Sequence, residues 1–372
     1  MTKDNTQILQ FGTGKFLRGF VDLFAQQAID NGSVVSPITV VQSTGIERVM
    51  QMRLQDFRYK VYIRGFLGNQ EVQDDILVQS IGKAFSAEHD WLEVLDMCCT
   101  ARSIMITSNA TEAGYVLDKS SVYTGSCPKS FPAKLLSALM SRYNADLSDV
   151  TVAPCELIEN NGNTLFNIVI DQAKVWGVED DCLEWIREDV VWLNTLVDRI
   201  VASPSNQHSV VQTETLDVMT EPYALWAIQS SNKGGLPFEH DAIKSCDNLS
   251  QVTLCKLRIL NGAHTALVQA LLSENDSTVR EVLDDPVILQ WLKDLLYGEI
   301  APTISSRASD ALEFVDTTLS RLYNPFIEHR LSDIALMHET KLRKRLLPTY
   351  YEYIEQNDKK PPILSELLRD II

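Results

Sequence analysis

The segment Gln7-Ile-Leu-Gln-Phe-Gly-Thr-Gly14 places five mostly apolar residues directly before two glycines. Such a run is typical of a buried strand, and the glycines allow a sharp turn into a helix. Gly32 is a suitable end for that helix, and Ile38–Gln42 is predicted to be a second strand. The helix is indicated by apolar side chains at helical spacing, namely Phe16, Phe20, Leu23, Phe24 and Ala28. The chain is therefore predicted to open with the strand–helix–strand unit of a nucleotide-binding fold.

The glycine loop alone does not establish that a cofactor binds. The usual dinucleotide fingerprint is Gly-x-Gly-x-x-Gly, but its third glycine position holds Leu17, and Gly19 comes two residues later. Gly12 and Gly14 allow a pyrophosphate to approach the backbone at a helix amino terminus, or they mark only a tight turn. The second strand ends in Gln42, which can hydrogen-bond a ribose hydroxyl, where an acidic residue is often found. These residues leave NAD and NADP as alternatives.

Further strands are predicted at residues 59–63, 103–107 and 150–153. Polar loops follow the last two, and ligands bind at the carboxyl edge of a parallel sheet. Plain connections, with an Asn-Gly turn in the second loop, are the alternative explanation. We expect a cofactor to contact Gly12, Gly14, Phe16, Gln42, Ser108 and Asn109.

The character of the chain changes near Ser203-Pro-Ser-Asn-Gln-His208, which is typical of a linker. Helical patterns then span residues 252–273, 278–297, 306–322, 329–346 and 361–371. The sequence predicts an α/β protein with a Rossmann-like dinucleotide-binding domain over residues 1–203. A mostly α-helical domain for substrate binding and catalysis is predicted over residues 204–372.

The composition of the 372 residues argues against several classes of partner. Hydrophobic residues make up 45% and charged residues 22%, which is typical of globular proteins in solution. The formal net charge of -17 disfavours nucleic acid and anionic membrane surfaces. Seven cysteines without Cys-x-x-Cys spacing predict neither structural zinc nor a disulfide framework. With no signal peptide or membrane-length apolar run in view, a reducing cytoplasm is the expected location.

The segment Lys256-Leu-Arg-Ile-Leu-Asn261-Gly-Ala-His264 carries a candidate proton donor and two hydrogen-bonding side chains. On an α-helix, Asn261 and His264 lie roughly 140° and 80° around the axis from Lys256, on one broad flank. A lysine can act as a general base once burial lowers its pKa, an amide can donate to a developing alkoxide, and an imidazole can hold a hydroxyl. The simpler interpretation is a surface lysine with a packed asparagine and histidine. Gly262 costs roughly 1 kcal/mol in a helix interior, which suggests close approach to the backbone there.

With these residues in order, the chain resembles the polyol-specific long-chain dehydrogenase/reductase family, the mannitol dehydrogenase group. The resemblance spans nearly the whole length and is carried by residues 11–19, 108–114 and 194–200 and by the Lys-x4-Asn-x2-His pattern at 256–264. Residues 154–162, 221–228 and 324–334 are similar to one branch, the tagaturonate reductases (altronate oxidoreductases). The chain is shorter than many members of that branch and nearer in size to mannitol-1-phosphate dehydrogenases.

The resemblance implies NAD-dependent interconversion of a ketone and a secondary alcohol, without a metal. It implies that Lys256 moves the proton, that Asn261 donates to the reacting oxygen and that His264 positions the substrate. A second oxyanion asparagine of the family comes from the first domain. Asn161 matches it best, and Asn160 is the near rival and a candidate for substrate binding.

For the tagaturonate reductase branch, the substrate carboxylate also needs a cation or a donor. Arg330, His329 and Lys341 are the candidates, although the basic run at 341–345 is most simply explained as a solvated helical face. A fructuronate reductase and a mannitol-type polyol or polyol-phosphate dehydrogenase are the alternative enzymes. A non-catalytic sugar-acid or nucleotide-binding protein is the alternative from another class, but it would need no proton donor. The expected partner is a small-molecule sugar acid or polyol, and the oligomeric state is left open.

Overall fold

The computed structural model describes residues 6–68, 70–111, 114–204, 215–231, 235–271, 277–326 and 329–372. The chain divides into two compact units. The first comprises Met1–Tyr62, Asp75–Thr220 and Ala224–Leu249. The second comprises Ile63–Asp74, Glu221–Tyr223 and Ser250–Ile372.

The described strands are numbered in chain order. They are β1 (Gln7–Phe11), β2 (Ile38–Gln42), β3 (Tyr59–Leu67), β4 (Gln70–Val78), β5 (Ile81–Ser86), β6 (Ser103–Ser108), β7 (Asp149–Pro154), β8 (Val191–Trp192), β9 (Thr195–Asp198), β10 (Val201–Ala202), β11 (Val218–Thr220), β12 (Leu225–Gln229) and β13 (Ile243–Cys246).

The described helices include two π-helical segments, Lys256–Leu260 and Leu295–Ile300. The α-helices are α1 (Lys15–Arg18), α2 (Val21–Asp30), α3 (Glu47–Leu54), α4 (Trp91–Cys98), α5 (Phe131–Asn144), α6 (Asn161–Trp176), α7 (Asp180–Glu188), α8 (Ser250–Cys255), α9 (Asn261–Ala270), α10 (Val279–Leu283), α11 (Pro286–Asp294), α12 (Ala301–Ile304), α13 (Ala311–Leu322), α14 (Leu331–Ile334), α15 (His338–Arg345), α16 (Leu347–Asn357) and α17 (Pro362–Leu367).

The first unit is built on a six-stranded sheet with the order β5-β2-β1-β6-β7-β8. Every neighbouring pair in it is parallel. The chain adds strands to one side of β1 and then, from β6 onward, to the other side. The carboxyl ends of β1 and β6 therefore lie at the point where the strand order reverses, which is where ligands bind in open α/β sheets.

The central strands of this sheet are apolar on both faces because helices cover both sides. All five residues of β1 and all five of β2 are buried. Leu9 and Ile106 pack in one core with Leu135 of α5 and Leu165 of α6. The predicted Rossmann-like domain is confirmed, and the strand bounds predicted for β1 and β2 agree with the structure.

The first unit extends further along the chain than the predicted boundary at residue 203. Strand β12 pairs antiparallel with β9 and parallel with β13, so residues up to 246 complete a three-stranded sheet with a strand of the first unit. A second small sheet has the order β10-β11-β3-β4. The last segment of the first unit ends at Leu249, and the longest segment of the second unit begins at Ser250. The predicted linker falls partly on residues 205–208, which lie outside the described residues.

The second unit is mostly helical, as predicted. Its core is formed by buried aliphatic side chains, among them Ile259, Leu267, Leu296 and Ile300. The helix predicted at 252–273 is three segments, α8, a π-helical segment and α9. The sequence reading missed α16, which has Pro348 in its first turn. Proline is tolerated there because the first N–H groups of a helix have no partner within it.

A buried ion pair holds the short segment at 221–223 to the helices of the second unit. Arg321 on α13 donates from Nε and Nη2 to the two carboxylate oxygens of Glu221, at 2.9 Å and 2.8 Å. The guanidinium also lies 4.2 Å from the ring centre of Tyr223.

Among the described helices, none is long and apolar enough to cross a membrane.

Candidate active site

A cleft of about 560 Å³ lies in the first unit at the carboxyl ends of β1, β2 and β6. The cofactor residues predicted from sequence that line it are Gly12, Gly14, Gln42 and Asn109. Hydrogen bonds between backbones shape this edge: Gly12 N–H donates to the Val41 carbonyl at 2.9 Å, and Asn109 N–H donates to the Phe11 carbonyl at 3.1 Å. The structure therefore brings the two glycines and the loop after β6 to one place.

The lining of this cleft is suited to a dinucleotide with its pyrophosphate. Gly12 has a φ of +132°, which side chains other than glycine rarely adopt, and a Cβ at Gly14 would face open space. Lys15, Arg48 and Lys129 line the cleft with accessible side chains. In a chain of net charge -17, this concentration of cations favours an anionic ligand.

Three cofactor residues named from sequence have other partners. Gln42 donates to the Thr44 carbonyl at 2.8 Å and accepts from Val49 N–H at 3.0 Å, so its amide holds the loop after β2. Ser108 is 1% exposed and donates to Glu156 at 3.2 Å. Phe16, which is not among the lining residues, stacks on Phe20 at 4.8 Å. Cofactor contact by Ser108 and Phe16 is therefore not supported by their positions.

Asn161, the expected second oxyanion donor, is fully occupied within the first unit. Its Nδ2 donates to the carbonyls of Pro154 at 3.0 Å and Glu156 at 3.2 Å and approaches Thr195 Oγ1 at 3.2 Å. Its Oδ1 accepts from the N–H groups of Gly162 and Thr195. An amide with both N–H groups used and no exposed surface cannot donate to a substrate. This contradicts the sequence-based assignment, and Asn161 instead joins the end of β7 to the start of β9.

Asn160, the alternative to Asn161, lies in a different environment. Asn160 is exposed in the loop after β7 and has a left-handed φ of 50° before α6. No side-chain hydrogen bond of Asn160 is found among the described residues. Its proposed contact with substrate stays a prediction.

Gly162 allows the close packing around Asn161. A Cβ at this position would lie 2.4 Å from the Leu193 carbonyl oxygen and 2.6 Å from its carbon, so backbone would have to move. We expect Gly162→Ala to lower the free energy of unfolding by about 1–3 kcal/mol, because a rigid clash outweighs the better helix propensity of alanine. The measurement is the urea unfolding midpoint.

Gly262→Ala is the matched control for Gly162→Ala. A Cβ at Gly262 would meet the flexible Leu346 side chain at 3.4 Å, an ordinary contact. This variant should be neutral, or more stable by up to roughly 1 kcal/mol. Equal destabilisation by both substitutions would show that the backbone contact at Leu193 is not the cause.

The second unit carries the Lys-x4-Asn-x2-His pattern on a break in helical geometry. Lys256 begins the π-helical segment Lys256–Leu260, and the Asn261 N–H donates to the Lys256 carbonyl. A π turn closes over five residues, so Asn261 follows Lys256 by one turn and the two side chains share one side of the helix. The expected angle of 140° assumed an α-helix and is corrected by this turn. Both side chains are half-buried.

His264 lies one helical turn further along and is 6% exposed. A ring nitrogen bonds the backbone of Leu260, whereas the buried Nε2 has no partner among the described residues. Burial, followed by the nearby charges of His329, Arg321 and Arg345, holds the pKa of His264 well below its usual range. His264 is therefore neutral near pH 7, and Nε2 is able to bond a ligand hydroxyl.

The amide of Asn261 differs from that of Asn161. Its side chain makes no hydrogen bond within the part of the chain that the structure describes, although its backbone carbonyl accepts from Thr265 Oγ1 at 2.8 Å. A half-buried amide without a partner is suited to bond a ligand oxygen. The motif therefore combines an amine, an open amide and an unpartnered imidazole nitrogen within nine residues.

The three residues expected to meet a carboxylate lie around this motif in different ways. His329 packs edge-on to His264, with 4.6 Å between ring centres, and burial lowers its pKa. Lys341 donates to the Ile334 carbonyl at 2.6 Å. Arg330 is exposed at the start of α14. Sequence reasoning missed Arg345, which donates to Thr265 Oγ1 at 3.1 Å.

Comparison with known families covers both units. A family model described as the mannitol dehydrogenase Rossmann domain matches residues 6–239, and one described as the mannitol dehydrogenase C-terminal domain matches residues 248–368. The chain belongs to the mannitol dehydrogenase family. It is accordingly a dehydrogenase/reductase that acts on a secondary alcohol.

Relatives of this family member include proteins named altronate oxidoreductase. One from Bacillus subtilis is 34% identical over 369 residues, which cover 95% of this chain and 76% of the relative. Another, from Halalkalibacterium halodurans, is 31% identical over 98% of this chain and 74% of the relative. This family member spans about three quarters of the length of these proteins.

Solved structures share the fold of this family member. A substrate-free D-sorbitol dehydrogenase aligns with a TM-score of 0.82 and 21% identity, over 99% of this chain and 81% of that one. Mannitol 2-dehydrogenase of Pseudomonas fluorescens, in a ternary complex with NAD and D-mannitol, aligns with a TM-score of 0.78 and 20% identity, over 99% of this chain and 79% of that one. At these identities the likeness shows the fold alone.

Proposed function

We propose that the protein interconverts D-tagaturonate and D-altronate with NAD as the cofactor. The observation that carries the proposal is the π turn that brings Lys256 and Asn261 to one side of a helix, next to the unpartnered Nε2 of His264. The similarity to two proteins named altronate oxidoreductase supports a sugar acid as the substrate.

The cleft of the first unit suits NAD by its backbone and its charge. Gly12 and Gly14 allow the pyrophosphate to approach the turn after β1. Lys15 and Lys129 neutralise its charge from the rim. When bound, NAD supplies or accepts the hydride. Arg48 lies near the end of β2, so NADPH is tested beside NADH below.

The Lys-x4-Asn-x2-His motif of the second unit transfers the proton and binds the reacting oxygen. Lys256 gives a proton to the carbonyl oxygen of tagaturonate during reduction and takes it from the altronate hydroxyl during oxidation. Asn261 donates its amide N–H to that oxygen as negative charge develops there. His264 holds a neighbouring hydroxyl through Nε2. Asn160, His329, Arg330 and Lys341 are proposed as further substrate contacts.

The proposal is tested by substrate discrimination. We expect kcat/KM for D-tagaturonate with NADH to exceed that for D-fructose by at least about 100-fold, because a site that pairs a carboxylate penalises a substrate without one. The measurement is NADH oxidation at 340 nm with D-tagaturonate, D-fructuronate and D-fructose, repeated with NADPH.

Each alternative function predicts a different result in this assay. A rate with D-fructose above both uronates would contradict the proposal and favour a polyol dehydrogenase. Preference for D-fructuronate would favour the fructuronate reductase. Cofactor binding without turnover of any substrate would identify a non-catalytic binding protein.

A further inference from the structure

We propose that Arg345 forms a subsite for the anionic terminal group of the substrate, an inference that rests on the proposed function. The guanidinium lies against the face of α9 that carries Asn261 and Thr265. It would make the enzyme select sugar derivatives that end in an anion over neutral ketoses and polyols.

The contacts of Arg345 leave one edge of the guanidinium open. Its Nη1 donates to Thr265 Oγ1 at 3.1 Å and to the Asn261 carbonyl at 3.5 Å. Thr265 Oγ1 in turn donates to the same carbonyl at 2.8 Å. Its Nε and Nη2 make no hydrogen bond to any residue that the structure describes. Those two N–H groups form the edge that binds a carboxylate in a bidentate fashion.

Basic side chains lie near Arg345. Its side chain is half-buried, yet no carboxylate pairs with it in the described part of the chain. The acid on the same helix, Glu339, pairs with Arg343 at 2.9 Å. The positive charge of Arg345 helps to lower the pKa of Lys341 and of His338, in both cases after burial. Partly buried like charges without a counter-ion are costly, and a bound anion would relieve that cost.

The anchor of Arg345 links this subsite to the reacting centre. Because Nη1 bonds the backbone of Asn261, the open edge is held at a fixed place relative to the amide that we propose bonds the reacting oxygen. A guanidinium pairs with either a carboxylate or a phosphate. The shared chemistry is therefore a sugar chain with an anionic end, and a test must separate its two forms.

The test compares three substrates that differ only at C6: D-tagaturonate, D-tagatose and D-tagatose 6-phosphate. We expect Arg345→Gln to raise KM for D-tagaturonate by about 100-fold and to change kcat by no more than a few fold, because the lost contacts are charge-assisted and made equally before and during the reaction. KM for D-tagatose should stay within about two-fold of the wild-type value. Arg343→Gln, on the same helix and more exposed, is the control and should leave all constants unchanged.

A second variant guards against misfolding. Arg345→Lys keeps the charge but loses the bidentate edge, and it should raise KM for D-tagaturonate by about 10-fold and leave D-tagatose unaffected. Equal losses with D-tagaturonate and D-tagatose in these variants would overturn the anion subsite, while wild-type activity on D-tagaturonate would leave the proposed function standing. If the wild type instead prefers D-tagatose 6-phosphate and Arg345→Gln abolishes that preference, the subsite stands and the proposed substrate is wrong.

Discussion

Lys256→Ala is expected to lower kcat for D-tagaturonate reduction by about 100- to 10,000-fold, the usual contribution of a positioned acid or base. KM should change only a few fold, because the amine acts mainly in the transition state. Asn261 and His264 both follow Lys256 in the chain, and their hydrogen bonds go to backbone carbonyls rather than to the lysine side chain, so the fold should persist. The measurement is steady-state NADH oxidation together with the thermal unfolding midpoint.

Two further variants make the role of Lys256 specific. Lys256→Arg keeps a positive charge but cannot give up its proton, so it should be about as inactive as Lys256→Ala. Lys360→Ala removes an exposed lysine of the second unit and should leave the rate unchanged. A Lys256→Arg enzyme of nearly full activity would mean that the residue supplies only charge, and the proposed proton transfer would be wrong.

We expect the unfolding free energy of Asp22→Asn to rise relative to that of the wild type as pH increases. Between pH 4 and pH values above 7, this difference should change by about 4 kcal/mol in favour of the variant. Asp22 is fully buried on α2, and burial raises the pKa of its carboxyl from 3.8 to about 7. It accepts a hydrogen bond from Tyr59 Oη at 2.9 Å, while its Oδ1 and the Oε1 of Gln10 have no partner among the residues that the structure describes. A proton on Oδ1 would supply a donor for Gln10, whose side chain lies within hydrogen-bonding reach. Arg18 is the nearby charge that favours ionisation.

The sign of this effect follows from proton counting. Between pH 3.8 and pH 7 the unfolded chain has released the Asp22 proton and the folded chain still holds it, so the folded state is favoured at the acid end. The stability that the folded chain gains by holding the Asp22 proton is fully present below pH 3.8, declines as pH rises and is lost above pH 7. Asparagine, which stays neutral, should remove this dependence.

The experiment compares urea unfolding of wild type and Asp22→Asn at pH 5, 6, 7 and 8. The difference in unfolding free energy should grow with pH and level off above pH 7. Asp30→Asn, an exposed acid at the end of the same helix, is the control. Parallel stability profiles for wild type and Asp22→Asn would mean that Asp22 is already ionised at pH 5.

The sequence was sufficient for the central sheet because its strands are apolar on both faces. β1 and β2 are five-residue runs next to glycine or polar turns, and their bounds agree with the prediction. The helical second unit followed from apolar periodicity. The unit boundary did not, since the pairing of β12 with β9 joins strands far apart in the chain and leaves no local signal.

The sequence predicted the candidate site less well where the role of a residue depends on its hydrogen-bond partners. Asn161 and Asn261 are the same residue type, but only the fold shows that backbone carbonyls occupy the first amide and leave the second open. Arg345 was hidden in a basic run that resembled a solvated face. The buried Leu342 and Leu346 beside it were the available signal that part of this helix faces inward.

The π-helical segment at Lys256–Leu260 has a consequence for how this site tolerates change. The alignment of the amine with the amide depends on the number of residues between them and only weakly on their identity. Adding one residue to this segment would turn Asn261 away from Lys256 by about 100°, whereas losing one would leave the pair four residues apart, still on one side of an ordinary α-helix. Insertions here should therefore be selected against far more strongly than aliphatic exchanges, and a spacing without added residues is the mark to seek when working relatives are separated from decayed copies.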